Sequence, residues 1–94
     1  MVKGDSFALY GSGTSFEKTI SVGSDETVHL RRCRVGADVQ VQWDDGSGYV
    51  SVYDSSNSNT HKDDLNLMLN GSGTLRLINT DSYDRWGMVT GMII

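Results

Sequence analysis

Proline is absent from the 94 residues, and cysteine occurs only once, at position 33. Without proline, every turn must be built from Gly, Asn, Asp or Ser, the other residue types that tolerate turn geometry. A single cysteine excludes an internal disulfide, so the stability of the fold depends on its hydrophobic core. The chain shows no secretory leader and no apolar run near the ~20 residues that cross a bilayer. We therefore expect no membrane partner and no export.

Positive charge is also scarce. Eight Lys and Arg residues stand against twelve Asp and Glu residues, which gives a formal net charge of −4. Proteins that follow a phosphate backbone usually present a basic surface, so this balance argues against nucleic acid as a partner. Most of the carboxylates are aspartates, which favour turns, and the acidity therefore reflects loop composition.

Alternation of apolar and polar residues fills most of the chain. In "DVQVQW", Val39, Val41 and Trp43 alternate with Gln40 and Gln42, a pattern typical of a half-buried strand. Similar segments lie at residues 6–10, 15–22, 27–35, 38–43, 49–53, 65–69, 74–79 and 88–94. Turn residues separate them at the spacing of antiparallel sandwiches. We predict an all-β fold, a single antiparallel β-sandwich domain of about eight strands spanning residues 1–94, either jelly-roll-like or immunoglobulin-like.

The acidic, glycine-rich "DDGSG" at residues 44–48 separates two of these strands. Calcium loops place ligands at every second position, whereas the side chains of adjacent aspartates in an extended chain point to opposite faces. Asp-Gly is a strong turn dipeptide, so a hairpin is the favoured interpretation. "NGSG" at residues 70–73 favours the same interpretation. The polar segment 54–64 is predicted to be a loop, either an unspecialised surface loop or a binding loop.

No catalytic or metal-binding pattern emerges from the sequence. His29 and His61 are the only histidines. On one strand face, His29 and Cys33 would lie about 13 Å apart, too far to share a metal ion or a proton. We therefore predict no cofactor, no metal site and no enzymatic activity. Cys33 is interpreted as a small, partly buried residue.

Three arginines, Arg31, Arg32 and Arg34, concentrate positive charge on one predicted strand of an otherwise acidic chain. Arginine suits interfaces because its planar guanidinium forms paired hydrogen bonds with carboxylates. The alternative is a solvated strand face whose arginines pair with acids on the neighbouring strand. Both interpretations remain open, and the three residues are candidate contacts for a protein partner.

Two aromatic residues and the apolar end of the chain complete the set of candidate contact residues. Tyr83 and Trp86 lie in "NTDSYDRWGMV", and such residues are enriched in subunit contacts. The last predicted strand finishes with Ile93 and Ile94, which must be buried in the sheet or covered by another chain. An exposed apolar edge strand invites pairing with a second molecule, so we expect a homo-oligomer.

The segments "VQVQWDDGSGYVSVYD" and "LNLMLNGSGTLRLINTD" resemble parts of small β-sandwich proteins from the virions of tailed bacteriophages. The resemblance covers roughly residues 39–94. It implies a non-enzymatic virion component, such as a capsid-decoration (cement) protein or a small tail or neck protein. Its partners would be copies of itself and a capsid or tail protein, and it would reside in the virion or in the cytoplasm of the producing cell.

A carbohydrate-binding module is the alternative prediction on the same fold. Exposed aromatic rings stack on sugar rings, and Tyr83, Trp86 and Tyr49 are the candidates for such a platform. A structural protein of a virion is expected to assemble into oligomers, whereas a carbohydrate-binding module is expected to change its tryptophan fluorescence when sugars bind.

Overall fold

All regular elements in the described chain are β-strands. A computed structural model describes residues 3–54, 59–62 and 65–94. In chain order the strands are β1 (Ser6–Gly13), β2 (Glu17–Val22), β3 (Thr27–Val35), β4 (Gln40–Asp44), β5 (Tyr49–Asp54), β6 (Thr60–Lys62), β7 (Leu67–Asn70), β8 (Gly73–Ile78) and β9 (Arg85–Ile93). The predicted all-β class is confirmed. The described residues contain no helix that could span a bilayer.

The strands form two antiparallel sheets that pack face to face. In the front sheet, β1 pairs with β9, β9 with β3, and β6 and β7 share the far side of β3. In the back sheet the order is β2-β8-β4-β5. β6 and β7 together occupy one strand position. The pairs are then β1 with β9, β2 with β8, β3 with β6 and β7, and β4 with β5, each nested inside the one before it. This nested pairing is the jelly-roll arrangement, which decides between the two predicted kinds of sandwich.

The hydrophobic core lies between the two sheets and contains the apolar residues that the alternation predicted to face inward. Fully buried members include Val28, Leu30, Val35, Val39, Val41, Leu75, Leu77, Val89 and Ile93. Phe7, Leu9, Phe16 and Trp43 pack against them and are nearly buried. Burial of each large apolar side chain contributes about 1.5–3 kcal/mol. The inward half of each strand pattern is therefore explained by packing alone.

The prediction that the last strand offers an apolar edge for pairing is wrong. β9 lies inside the front sheet, hydrogen-bonded to β1 on one side and to β3 on the other. Ile93 is fully buried, so its side chain serves the core and cannot reach a partner. Ile94 is 44% exposed, and its backbone exchanges two hydrogen bonds with Thr27. Of the apolar run at residues 92–94, only Ile93 is buried in the core, and Ile94 is held by backbone hydrogen bonds within the sheet.

The "DDGSG" segment is a hairpin, as predicted. Asp44 pairs with Tyr49, and the chain reverses between these two residues. Gly46 and Gly48 adopt left-handed φ angles of 109° and 113°, which side chains disfavour. The Asp44 carboxylate accepts hydrogen bonds from the amides of both glycines, at 2.7 and 3.0 Å. The Asp44 side chain therefore stabilises the turn.

The polar segment 54–64 is not a loop throughout. Its residues Thr60–Lys62 form β6, which pairs with Val35, Arg34 and Cys33 of β3. Polar residues enter a strand here because the far side of β3 offers unpaired backbone groups, whose hydrogen bonds do not depend on side-chain type. Residues 55–58 and 63–64, which also belong to the predicted loop, lie outside the described residues.

Candidate functional site on the outer face of the front sheet

The outer face of the front sheet is formed by residues that alternate with core residues along three long strands and β7. We call this surface the outer front face. Its described residues are Ser6, Ala8, Tyr10 and Ser12 of β1, Trp86, Met88, Thr90 and Met92 of β9, Thr27, His29, Arg32 and Arg34 of β3, and Met68 and Asn70 of β7. The strand register therefore brings Trp86, Arg32 and Arg34 to one surface.

Large apolar side chains cross this face in rows fixed by the strand register. Tyr10 lies beside Met88, and Met88 lies beside Arg34. Tyr10 is 61% exposed, Met68 52% and Trp86 39%, so each presents apolar area to solvent. Neither Tyr10 nor Met88 is among the contact residues predicted from the sequence, because an outward phase on a strand does not distinguish a contact from a solvated surface.

A β-bulge in β3 turns the arginine cluster outward. The register of β3 against β9 shifts between Leu30 and Arg32, so Arg31 is the extra residue. Both Arg31 and Arg32 are exposed, and Arg34 follows in the outward phase. A bulge of this kind accommodates one additional residue without breaking the rest of the ladder. It allows three cationic side chains within four positions to reach solvent.

The same bulge separates His29 from Cys33. The shift reverses the alternation, so His29 faces outward while the Cys33 side chain is fully buried. They do not share a strand face, contrary to the geometry assumed from the sequence. The His29 ring lies 2.6 Å from the side-chain oxygen of Asn66. Burial raises the pKa of the Cys33 thiol to about 12, so the thiolate required for nucleophilic or metal chemistry is strongly disfavoured.

The two outer faces of the sandwich differ in chemistry. Among the described residues of the outer front face there is no carboxylate. The outer back face carries a carboxylate and two amide side chains grouped around Arg76. Arg76 donates to Gln42 and, at 3.1 Å, to Glu17, while its guanidinium lies 3.5 Å from the Tyr49 ring centre. The Gln42 amide in turn donates to Gln40 at 2.7 Å. The outer back face is therefore polar, whereas the outer front face is rich in methionine, aromatic and arginine side chains.

A small cavity lies at one end of the outer front face. Arg34, Asn59, Thr60 and Trp86 line it, and its volume is about 290 Å³. The Asn59 side chain accepts a hydrogen bond from the Ala37 amide at 3.0 Å, which fixes one wall. The Thr60 hydroxyl is buried and makes no hydrogen bond within the part of the chain that the structure describes. Two residues predicted from the sequence, Arg34 and Trp86, meet at this cavity.

Tyr83 belongs to a separate loop that follows β8. Asn79 is fully buried at the start of this loop, and its side chain donates to the carbonyls of Gly13 and Tyr83, at 3.1 and 3.3 Å. Its side-chain oxygen accepts from the Asp81 amide at 2.9 Å. Tyr83 itself is 67% exposed. The loop therefore holds Tyr83 at the surface through a buried amide.

The predicted platform of Tyr83, Trp86 and Tyr49 is not assembled. The Tyr83 ring centre lies 5.2 Å from the guanidinium of Arg85. Arg85 precedes Trp86 on β9, so the two side chains point to opposite sides of the front sheet. Tyr49 lies on the outer back face. Sequence proximity could not reveal this separation, because neighbouring residues on a strand always face opposite ways.

The structure also contains an acidic cleft beside Arg85, which was not expected from the sequence. Asp38, Gln40, Asp54, Thr80 and Asp81 line a cavity of about 390 Å³. Arg85 bridges the carboxylates of Asp38 and Asp81, at 3.5 and 3.0 Å. The Tyr83 amide, and then Arg85, lower the pKa of Asp81. The described residues contain no group of three or more His, Cys, Asp or Glu side chains placed to hold a metal ion.

Comparison with known proteins adds no relative. No protein-family model matches the chain, and a search of the curated proteins returns no match. The outer front face and the cavity beside it are therefore the candidate functional surfaces of this protein.

Proposed function

We propose that this protein is a non-enzymatic structural module that attaches to a larger protein assembly through its outer front face. The assembly is of the kind formed by tailed-phage virions, with the module acting as a capsid-decoration or small tail component. The observation that carries the proposal is the contrast between the two outer faces. One carries carboxylate and amide side chains grouped around Arg76, and the other presents exposed methionine, aromatic and arginine side chains and, among its described residues, no carboxylate.

The composition of the outer front face favours protein as the partner. Protein interfaces are enriched in Tyr, Trp, Met and Arg, and their buried centres are depleted in Asp and Glu. Tyr10, Met68, Met88, Trp86 and Arg34 provide the enriched types on a rigid sheet. Rigid strands lose little conformational entropy on binding, which favours attachment of each copy. If several copies bind one assembly, their individually weak contacts give a high overall affinity.

The fold is compatible with this proposal, although it does not decide it. Jelly-roll sandwiches form the domains of viral capsids and also of lectins. Function resides in the site and not in the fold, so the outer front face is the part to test.

The test uses two threonines, one on each outer face, that each lie beside an arginine. Thr90 lies on the outer front face beside Arg32, and Thr19 lies on the outer back face beside Arg76. The expected result is that Thr90→Glu places a carboxylate within the contact, where buried interface centres are depleted in acids, and weakens attachment, whereas Thr19→Glu does not. Sedimentation of extracts from the producing cells through a density gradient measures whether the protein travels with large particles.

Replacing both Arg31 and Arg32 with Glu should release the protein in the same way while leaving the fold intact. Circular dichroism of each purified variant checks that the sandwich is retained. If the unmodified chain remains at the top of the gradient, or if Thr90→Glu and Thr19→Glu sediment alike, the face assignment is wrong.

A carbohydrate-binding function is the second candidate, and the cavity lined by Arg34, Asn59, Thr60 and Trp86 is the observation that favours it. It combines an indole with side chains that hydrogen-bond hydroxyl groups, the pairing that sugar sites use. This candidate predicts that a panel of oligosaccharides changes the tryptophan fluorescence of the protein and that Trp86→Ala abolishes the change. An unchanged spectrum across the panel would remove it, because the other tryptophan, Trp43, is buried and would report little.

A further inference from the structure

Three of the four sheet edges carry a feature that hinders pairing with another chain. On β2, Lys18 lies opposite the buried Leu77 yet stays exposed, which places a charge in the inward phase of an edge. β5 contains a bulge opposite Val41 and Gln42. The far edge of the front sheet is divided between β6 and β7, which have three and four residues. Inward charges, bulges and short edge strands are the usual protections against edge-to-edge association.

The fourth edge, β1, lacks all of these protections. It has eight residues, Ser6–Gly13, and none of them is charged or proline. Its register with β9 runs without a shift from Ser6 to Gly13. A long, regular and uncharged edge strand is a template for a further strand.

The backbone groups on the open side of β1 can be identified from the ladder. The Ile93 amide donates to the Asp5 carbonyl at 2.8 Å, so residues in the phase of Asp5 bond to β9. On the other side of β9, Ile94 and Thr27 exchange hydrogen bonds at 2.9 and 2.8 Å, which fixes the same alternation. The backbones of the alternate residues of β1 therefore point away from the sheet. These are Ser6, Ala8, Tyr10 and Ser12.

We propose that β1 is a self-association edge. It pairs antiparallel with β1 of a second copy around a two-fold axis, with Ala8 of each copy opposite Tyr10 of the other. In this register all four outward-pointing residues form hydrogen-bonded pairs, because Ser6 comes opposite Ser12. The two front sheets then join into one continuous sheet, and the outer front face extends across both copies.

Side-chain sizes along β1 are complementary to themselves in this register. On the outer side, Tyr10, which is 61% exposed, lies beside the small Ala8 of the second copy. On the inner side, Phe7 comes opposite Gly11. A two-fold contact requires such self-complementarity, because the same residues form both halves of the interface. No charged residues oppose one another along the paired strands, so a second copy meets no like-charge repulsion there.

This inference does not depend on the proposed attachment through the outer front face. The edge contact uses backbone groups of β1, whereas attachment uses side chains of the neighbouring face. Purified protein tests the edge, and particles from producing cells test the face, so each proposal can fail while the other survives.

The first experiment measures the mass of the purified protein by light scattering over a range of concentrations. The expected result is a concentration-dependent rise from 10.3 kDa toward twice that mass. Ala8→Lys places a charge at the centre of the edge and should keep the protein monomeric. Thr19→Lys adds the same charge at an exposed position of β2 and should leave the rise unchanged. A protein that stays monomeric throughout, or a dimer that survives Ala8→Lys, overturns the proposal.

The second experiment tests the register by oxidative cross-linking. Residues in a hydrogen-bonded antiparallel pair have Cα atoms about 5.5 Å apart, a separation that a disulfide bridges. A mixture of the Ala8→Cys and Tyr10→Cys variants should therefore cross-link, and either variant alone should cross-link far less. Equal cross-linking of all three samples overturns the proposed register.

Discussion

At the scale of single residues, two side chains with polar or reactive groups, those of Asn79 and Cys33, are fully buried. Asn79 is fully buried, but each polar end of its side chain is hydrogen-bonded to the backbone, so it organises the loop that carries Tyr83. Cys33 is also fully buried, as a member of the hydrophobic core. Both residues serve structure, and neither offers a reactive group to solvent.

Burial of Cys33 predicts a loss of stability at alkaline pH. The pKa of the thiol rises from 9.0 to about 12 in the folded protein. Above about pH 9 the unfolded chain ionises first, so the free energy of unfolding should fall by about 1.4 kcal/mol per pH unit until the folded thiol also ionises. Below about pH 9 the thiol is protonated in both the folded and the unfolded protein, so Cys33 does not lower the free energy of unfolding there. Urea unfolding at a series of pH values measures the slope.

Cys33→Ala is the control for this prediction. It lacks the thiol, so the part of the slope due to residue 33 should disappear while the contributions of tyrosines and lysines remain. Identical alkaline slopes for the two proteins would show that the thiol is not sequestered in the folded state.

At the scale of elements, the edge strands differ in whether they carry a feature that hinders pairing with another chain. β9 occupies the interior of the front sheet, and its outward residues supply the centre of the outer front face. β1 and β2 are both edges, but only β2 carries an inward-phase charge, at Lys18. An edge strand with such a charge resists pairing, because a second strand would have to bury the ammonium group.

Removing that charge should create a new association edge. Lys18→Val completes the apolar inward face of β2, so we expect the mass of the purified protein to rise above that of the unmodified chain at equal concentration. Lys18→Arg keeps the charge and should behave as the unmodified chain does. Light scattering distinguishes the two variants, and equal masses for all three proteins would contradict the protective role of Lys18.

At the scale of the whole molecule, the sandwich divides its surface into two kinds. On the outer back face, Arg76 donates hydrogen bonds to Gln42 and Glu17. The outer front face leaves methionine, aromatic and arginine side chains at the surface. Charge and apolar area are thus separated by the sheets, so a protein with a formal net charge of −4 presents a cationic and apolar face.

Much of the fold follows from local pattern. Apolar residues at every second position, as in Val39, Val41 and Trp43, must face one side of a strand, and burial selects that side as the core. The hairpin at Asp44 follows from turn chemistry that glycine and aspartate supply within a few residues. β6 was missed because its polar residues have no alternating pattern, and its strand conformation depends on the backbone of β3.

The candidate site was only partly accessible from the sequence. Arg31, Arg32, Arg34 and Trp86 could be named because their residue types are unusual for this chain. Their relation to Tyr10 and Met88 could not, since it depends on which strands lie side by side. The apolar end of the last strand was misassigned to an edge for the same reason, because a buried central strand and an apolar edge strand have similar sequences.

By itself, the sequence determined that the chain forms strands, where most of them turn, and which side chains enter the core, because these depend on the two-residue period and on short-range turn geometry. Only the tertiary structure decided that β9 is central, that β1 is an open edge, and that the arginines share a face with the methionines and Trp86. Strand order is set by long-range hydrogen bonds between backbones, which are nearly independent of side-chain identity. The surface that we propose to be functional is a product of that order.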